Sequence, residues 1–130
     1  MLRKLFLLFN HTLTALQVES ARSSLGVKKI IEPPSELRVL WRQIPPDIAG
    51  ITGYLNPVKQ WLTEDANESD YVLIQGDFGA CFILVNFAFE RGLIPIYSTT
   101  RREAVEEHNP DGSVNMVHRF QHQVYRKYGI

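Results

Sequence analysis

Apolar residues fall into short runs along the chain, separated by polar breaks marked with glycine or proline. Leu2 to Phe9 is one such run, and an unbroken apolar stretch of this length fits a strand covered on both faces. Asn10-His11-Thr12 interrupts it. The pattern then turns helical from about Thr14 to Leu25, and Gly26 is placed to end that helix in the left-handed conformation. Val27 to Ile31 reads as a second strand. After Pro33-Pro34, Ser35 stands where an N-cap belongs, ahead of Leu37, Leu40 and Trp41 at helical spacing. Pro45-Pro46 closes that helix. Ile48, Ile51, Leu55, Val58 and Leu62 predict a further helix from about Asp47 to Ala66, kinked or divided at Pro57.

A polar turn, Asn67 to Asp70, leads into a strand from Tyr71 to Gln75. Gly76-Asp77-Phe78-Gly79-Ala80 follows, then the almost wholly apolar run Cys81 to Phe89. Its length and its Glu90-Arg91-Gly92 ending favour a helix. Leu93 to Ser98 is the next strand. Strands and helices in this order make a parallel, doubly wound sheet. The tail differs. Arg101 to Glu107 and Ser113 to Tyr128 flank Asn109-Pro110-Asp111-Gly112, a turn tetrapeptide, so a β-hairpin is expected. Val117, Phe120, Val124 and Tyr125 are mixed in phase, which predicts a bulge or bend. The fold class expected is α/β: a parallel-core sheet, helices on both faces, a C-terminal β-hairpin, and one domain over residues 1–130.

Composition narrows the partners. A chain of 130 residues buries a substantial core without covalent staples. Lys+Arg and Asp+Glu both number 14, so a DNA-coating role is excluded, because that binding needs a basic face. A small anionic ligand, held by a few local cations, is not excluded. Cys81 is the one cysteine, which fits a reducing cytoplasm, and its apolar neighbours make it core rather than nucleophile. Arg3-Lys4 before Leu5 to Phe9 has the look of a signal peptide, but the run is too short and no small-residue cleavage site follows. Nothing approaches the ~20 apolar residues of a membrane span.

In parallel sheets ligands bind where strands end and helices begin. Three segments are expected there: Asn10-His11-Thr12, Gln75-Gly76-Asp77-Phe78-Gly79, and Ser98-Thr99-Thr100-Arg101-Arg102. Gly76 and Gly79 would let backbone amides approach an anion, while Asp77 reads equally as an N-cap. Arg101 and Arg102 suit phosphate geometry, against a solvated hairpin start. His11 suits proton transfer or phosphate contact, against a polar turn histidine. His108, His118 and His122 lack carboxylate or cysteine partners at metal-ligand spacing, so no metal and no cofactor are expected. Trp41 and Trp61 read as core. The Cys81–Phe89 helix has hardly any polar face, so one side should meet the sheet and the other a second subunit, giving a homodimer.

Leu5 to Thr14, Tyr71 to Ala80, Gly92 to Arg101 and the closing Phe120 to Tyr128 resemble the small stand-alone CRISPR-associated ring nucleases of type III systems. The likeness spans essentially the whole chain. It implies a Rossmann-like domain of the CARF class, dimeric, that binds cyclic oligoadenylate and degrades it, cyclic tetra-adenylate above all, to switch off the defence response. On that account the substrate's own 2′-OH attacks the neighbouring phosphodiester, so no metal is needed. His11 or Asp77 could then exchange protons, while Arg101, with Arg102 and the Gly76–Gly79 amides, meets the phosphorane charge. Asn10, Thr12, Gln75, Gly76, Phe78, Gly79, Thr99, Thr100 and Arg102 would line the ligand site. A non-catalytic module that senses or sequesters the cyclic nucleotide is the alternative, and a Rossmann-like domain for another nucleotide is a third.

Overall fold

The computed structural model describes residues 3–130, so Leu2, the start of the first expected strand, lies outside the described residues. Five strands, β1 (Lys4–Leu8), β2 (Lys29–Ile31), β3 (Tyr71–Ile74), β4 (Ile94–His108) and β5 (Val114–Lys127), form one sheet in the order β2-β1-β3-β4-β5. β1 runs parallel to β2 and β3, β3 runs parallel to β4, and β5 is antiparallel to β4. The chain steps outward from β1 to β2 on one side and from β3 to β4 on the other. Strand order therefore reverses between β1 and β3, where a parallel sheet opens a crevice at its carboxyl ends.

The apolar runs alternate between two cores. Leu5, Leu7, Leu73 and Ile96 pack on one face with Val27 and with Ala21 of α1 (Ala15–Ser24). Phe6, Leu8, Val72 and Ile74 pack on the other with Trp41 of α2 (Ser35–Arg42), Trp61 of α3 (Asn56–Asp65) and Leu84 of α4 (Phe78–Glu90). Because both faces are covered, the inner strands read as unbroken apolar runs. The fold is mixed α/β with mostly parallel strands.

Helix α1 begins as expected, with Thr14 and Gln17 forming a capping box, and Gly26 follows it at φ +69°. The helix expected from Asp47 is much shorter. A 3-10 turn spans Gly53–Leu55 and α3 starts only at Asn56, with Pro57 in its first turn, where a missing N–H costs nothing. Gly50 and Gly53 disfavour helix across the preceding segment, whatever the spacing of Ile48 and Ile51. Ser35 is the first residue of α2, one place inside its expected cap position.

The hairpin is larger than expected. The last parallel pair is Leu73↔Ile96, but β4 does not end there, because β5 supplies a ladder partner as far as His108↔Val114. Thr99, Thr100, Arg101 and Arg102 are therefore strand residues, not a loop at a strand's end. Beyond Ser98 the two strands stand out as an arm, and almost all of its residues are exposed. The register shift between Ser98 and Thr100 is the expected bulge.

Candidate functional site

The carboxyl ends of β1 and β3 bring Asn10, His11, Gln75 and Gly76 together. With Phe9 they line a small cleft of about 220 Å³. His11 is exposed, and its ring stands edge-on to Phe9 at 5.4 Å. Asn10 is half-buried, and its Oδ1 is closed off from solvent with no hydrogen-bond partner among the described residues. Gln75 is held at both ends: its N–H donates to Leu8 O at 2.9 Å, and its Oε1 accepts from the Ser98 N–H at 2.7 Å. Trp41 Nε1 donates to the Gln75 carbonyl at 3.0 Å, which pins the strand end from below.

Gln75 and Gly76 also border a larger cleft of about 680 Å³, walled by Phe78 and Phe82 on α4 and by Tyr97 and Tyr128 across from them. This cleft is mainly apolar and aromatic. Burial pushes the Tyr128 phenol up to about 12, with the nearby Cys81 and Tyr97 adding to the rise, and it donates to the Ile74 carbonyl at 2.5 Å. Cys81 is half-buried on the cleft wall rather than deep in the core. Burial pushes its thiol up to about 11, with the Gly76 backbone opposing the rise and the Asp77 charge adding to it.

The other expected site residues divide. Asp77 caps α4, its Oδ2 accepting from the Ala80 N–H at 3.0 Å. Phe78 is 94 % exposed beside the larger cleft. A Cβ on Gly79 would meet only ordinary contacts, Asp77 Oδ2 and Ile51 Cδ1 at 3.5 Å, so nothing there demands glycine. Thr12 is exposed and lines neither cleft. Thr99 closes the bulge: its Oγ1 donates to Val124 O at 3.0 Å and accepts from Val124 N at 3.1 Å. Thr100, Arg101 and Arg102 lie on the arm, opposite His122, Gln121 and Phe120. Arg102 sits over the Phe120 ring at 5.9 Å.

Two features escape sequence reasoning. Arg42, at the end of α2, reaches the Asn10 carbonyl at 3.5 Å and puts a cation at the rim of the small cleft. A buried network ties the arm to the body. Ser98 Oγ shares a hydrogen bond with His122 Nδ1 at 2.5 Å and accepts from Gln17 Nε2 at 3.3 Å, while His122 Nε2 shares one with Ser20 Oγ at 3.0 Å. A serine hydroxyl both donates and accepts, so Ser98 and Ser20 can meet His122 in either ring tautomer. Burial lowers the basicity of His122 below that of an ordinary histidine. These partners come from α1, β4 and β5, and no local motif joins them.

Fold and site together define a mixed α/β domain with a polar cleft at the point where its parallel strands reverse order. The chain belongs to the family described as the uncharacterized protein MJ1673 family, whose model matches residues 3–126. It is 50 % identical over 125 residues to the uncharacterized protein MJ1673 of Methanocaldococcus jannaschii, covering 96 % of each chain. No solved structure matches it.

Proposed function

We propose that this protein is a CARF-like, Rossmann-like ring nuclease, cytoplasmic and homodimeric, that cleaves cyclic oligoadenylate, with cyclic tetra-adenylate as substrate. One observation carries the reading: Asn10, His11 and Gln75 meet in a cleft at the β1/β3 reversal, the place where doubly wound sheets bind nucleotides. The sequence resemblance points the same way.

In the reaction the substrate's 2′-oxygen forms a bond to the adjacent phosphorus and the bond from phosphorus to the 5′-oxygen breaks. A base takes the 2′ proton and the 5′-oxygen gains one, leaving a 2′,3′-cyclic phosphate and a free 5′-OH. His11 is the exposed imidazole suited to carry that proton. The apolar outer face of α4 would join two copies, and the arms would bring Arg101 and Arg102 to the shared cleft. The test is to incubate pure protein with excess cyclic tetra-adenylate, with and without a chelator, and to separate the products. Multiple turnover to linear products, indifferent to chelator, is the expected result.

A second reading, a module that binds the cyclic nucleotide without cutting it, draws on the commitments of the expected catalysts. Asp77 is engaged as a cap, and Arg101 and Arg102 stand on the arm. Tight stoichiometric binding with no cleavage would establish that reading instead.

A further inference from the structure

The small cleft carries an unmatched pair of amide groups. Asn10 Oδ1 is the buried side-chain oxygen that has no hydrogen-bond donor among the described residues. A lone buried acceptor is uncommon in a folded protein and invites a donor from outside. Gln75 lines the same cleft, and the Ser98 N–H fixes which way round its amide lies, because the oxygen must face that donor. Its NH2 group is then turned away from Ser98 and makes no hydrogen bond among the described residues. Asn10, just past β1, thus brings an enclosed and unpartnered acceptor to this cleft, and Gln75, just past β3, an amide whose orientation Ser98 fixes.

We propose that Asn10 and Gln75 form a base-reading subsite that selects a 6-aminopurine, Asn10 Oδ1 accepting from the exocyclic amino group and Gln75 Nε2 donating to the neighbouring ring nitrogen. The proposal rests on the nucleotide-binding reading above and adds which residues read the base. A donor beside an acceptor is the edge that an amide pair complements. The 6-oxo counterpart places an oxygen where the amino group was, so it faces Asn10 Oδ1 with like charge against like. The base is tethered through its ribose and the Gln75 amide cannot reverse, so the pair cannot simply exchange roles. The terminal torsion of Asn10 is soft, which lets the amide swing into the cleft when a donor arrives.

The test compares cyclic tetra-adenylate with cyclic tetra-inosinate by stopped-flow binding before any turnover. The wild type should prefer the adenine ring by roughly 10- to 100-fold, the range of one bidentate base contact. Asn10→Ala should collapse that ratio, and Asn10→Asp, which keeps an acceptor, should largely restore it. Gln75→Glu is the sharper variant. Its carboxylate still accepts from the Ser98 N–H, so the strand end stays in place, but the donor is gone. Its carboxylate opposes the acceptor nitrogen of the 6-aminopurine but can accept from the ring N–H of the 6-oxo base, so the ratio should fall or reverse. Equal binding of the two rings by wild type, or a ratio that survives both Asn10→Ala and Gln75→Glu, overturns the subsite and leaves the ring-nuclease reading standing. Failure to bind either ring overturns both.

Discussion

Trp41 occupies the space that a side chain on Gly76 would need. A Cβ built on Gly76 would lie 2.9 Å from Trp41 Nε1 and 3.2 Å from Cε2. The same indole nitrogen donates to the carbonyl of Gln75. Gly76 is therefore glycine because a buried tryptophan closes in from below, a reason distinct from the close approach of a ligand that the residue type suggested. Gly76→Ala should destabilise the fold by about 1–3 kcal/mol, since the fully enclosed Trp41 cannot move aside freely. Trp41→Phe removes the hydrogen bond and the crowded atoms together. In urea unfolding the double variant should lose less than the sum of the two singles, and strict additivity would mean that the contact carries no energy.

Asp77 has two possible jobs, and substitutions separate them. Asp77→Ala should cost about 1 kcal/mol through the lost cap of α4. Asp77→Ser keeps a capping oxygen and should recover most of that stability. If the carboxylate also moves a proton, both variants should lose cleavage of cyclic tetra-adenylate. Full activity in Asp77→Ser would confine the residue to capping.

His122 makes stability depend on pH. Its folded-state affinity for a proton is lowered, so the unfolded chain takes up a proton first as pH falls. Its contribution is thus intact above the ordinary histidine value of 6.5 and declines as pH drops below it. Protonation puts a hydrogen on both ring nitrogens, so Ser98 and Ser20 must then both accept. Unfolding midpoints measured at pH 8 and pH 5 should fall farther for the wild type than for His122→Gln. Equal falls would show that other groups set the acid limit.

The uncovered face of α4 is the expected dimer contact. Phe78, Phe82 and Phe89 are 94 %, 71 % and 51 % exposed, and such a row is unusual on a surface with no partner. Phe82→Glu should turn a dimer into a monomer in light scattering at micromolar concentration, whereas a wild type that is already monomeric would defeat the assembly.

The two arginines most exposed to comparison are Arg126, which lies over Tyr97 at 5.6 Å and donates to its hydroxyl, and Arg101, which stands on the arm. Arg101→Ala should weaken ligand binding more than Arg126→Ala, as expected if the arm reaches a cleft shared by two copies. The reverse order would place the phosphate contact within one chain.

The sequence by itself determined the elements whose signals are local. Unbroken apolar runs mark strands β1 and β3 because both their faces are covered, and Thr14, Gly26 and the Asn109–Gly112 turn mark ends because caps and turns depend on neighbours a few residues away. The Asn10–His11 and Gln75–Gly76 segments were legible as strand ends for the same reason, and the reversal of strand order does bring them together. The rest was decided by contacts between residues far apart in the chain. Whether β4 stops at Ser98 or runs on to His108 depends on a ladder partner supplied by β5, so the placing of Arg101 and Arg102 could not be read from their own neighbourhood. Trp41 beneath Gly76, Arg42 at Asn10 and His122 between Ser98 and Ser20 are likewise pairings made by packing. Hydrogen bonds and close contacts act over a few ångströms, and only the folded chain brings such residues within that range.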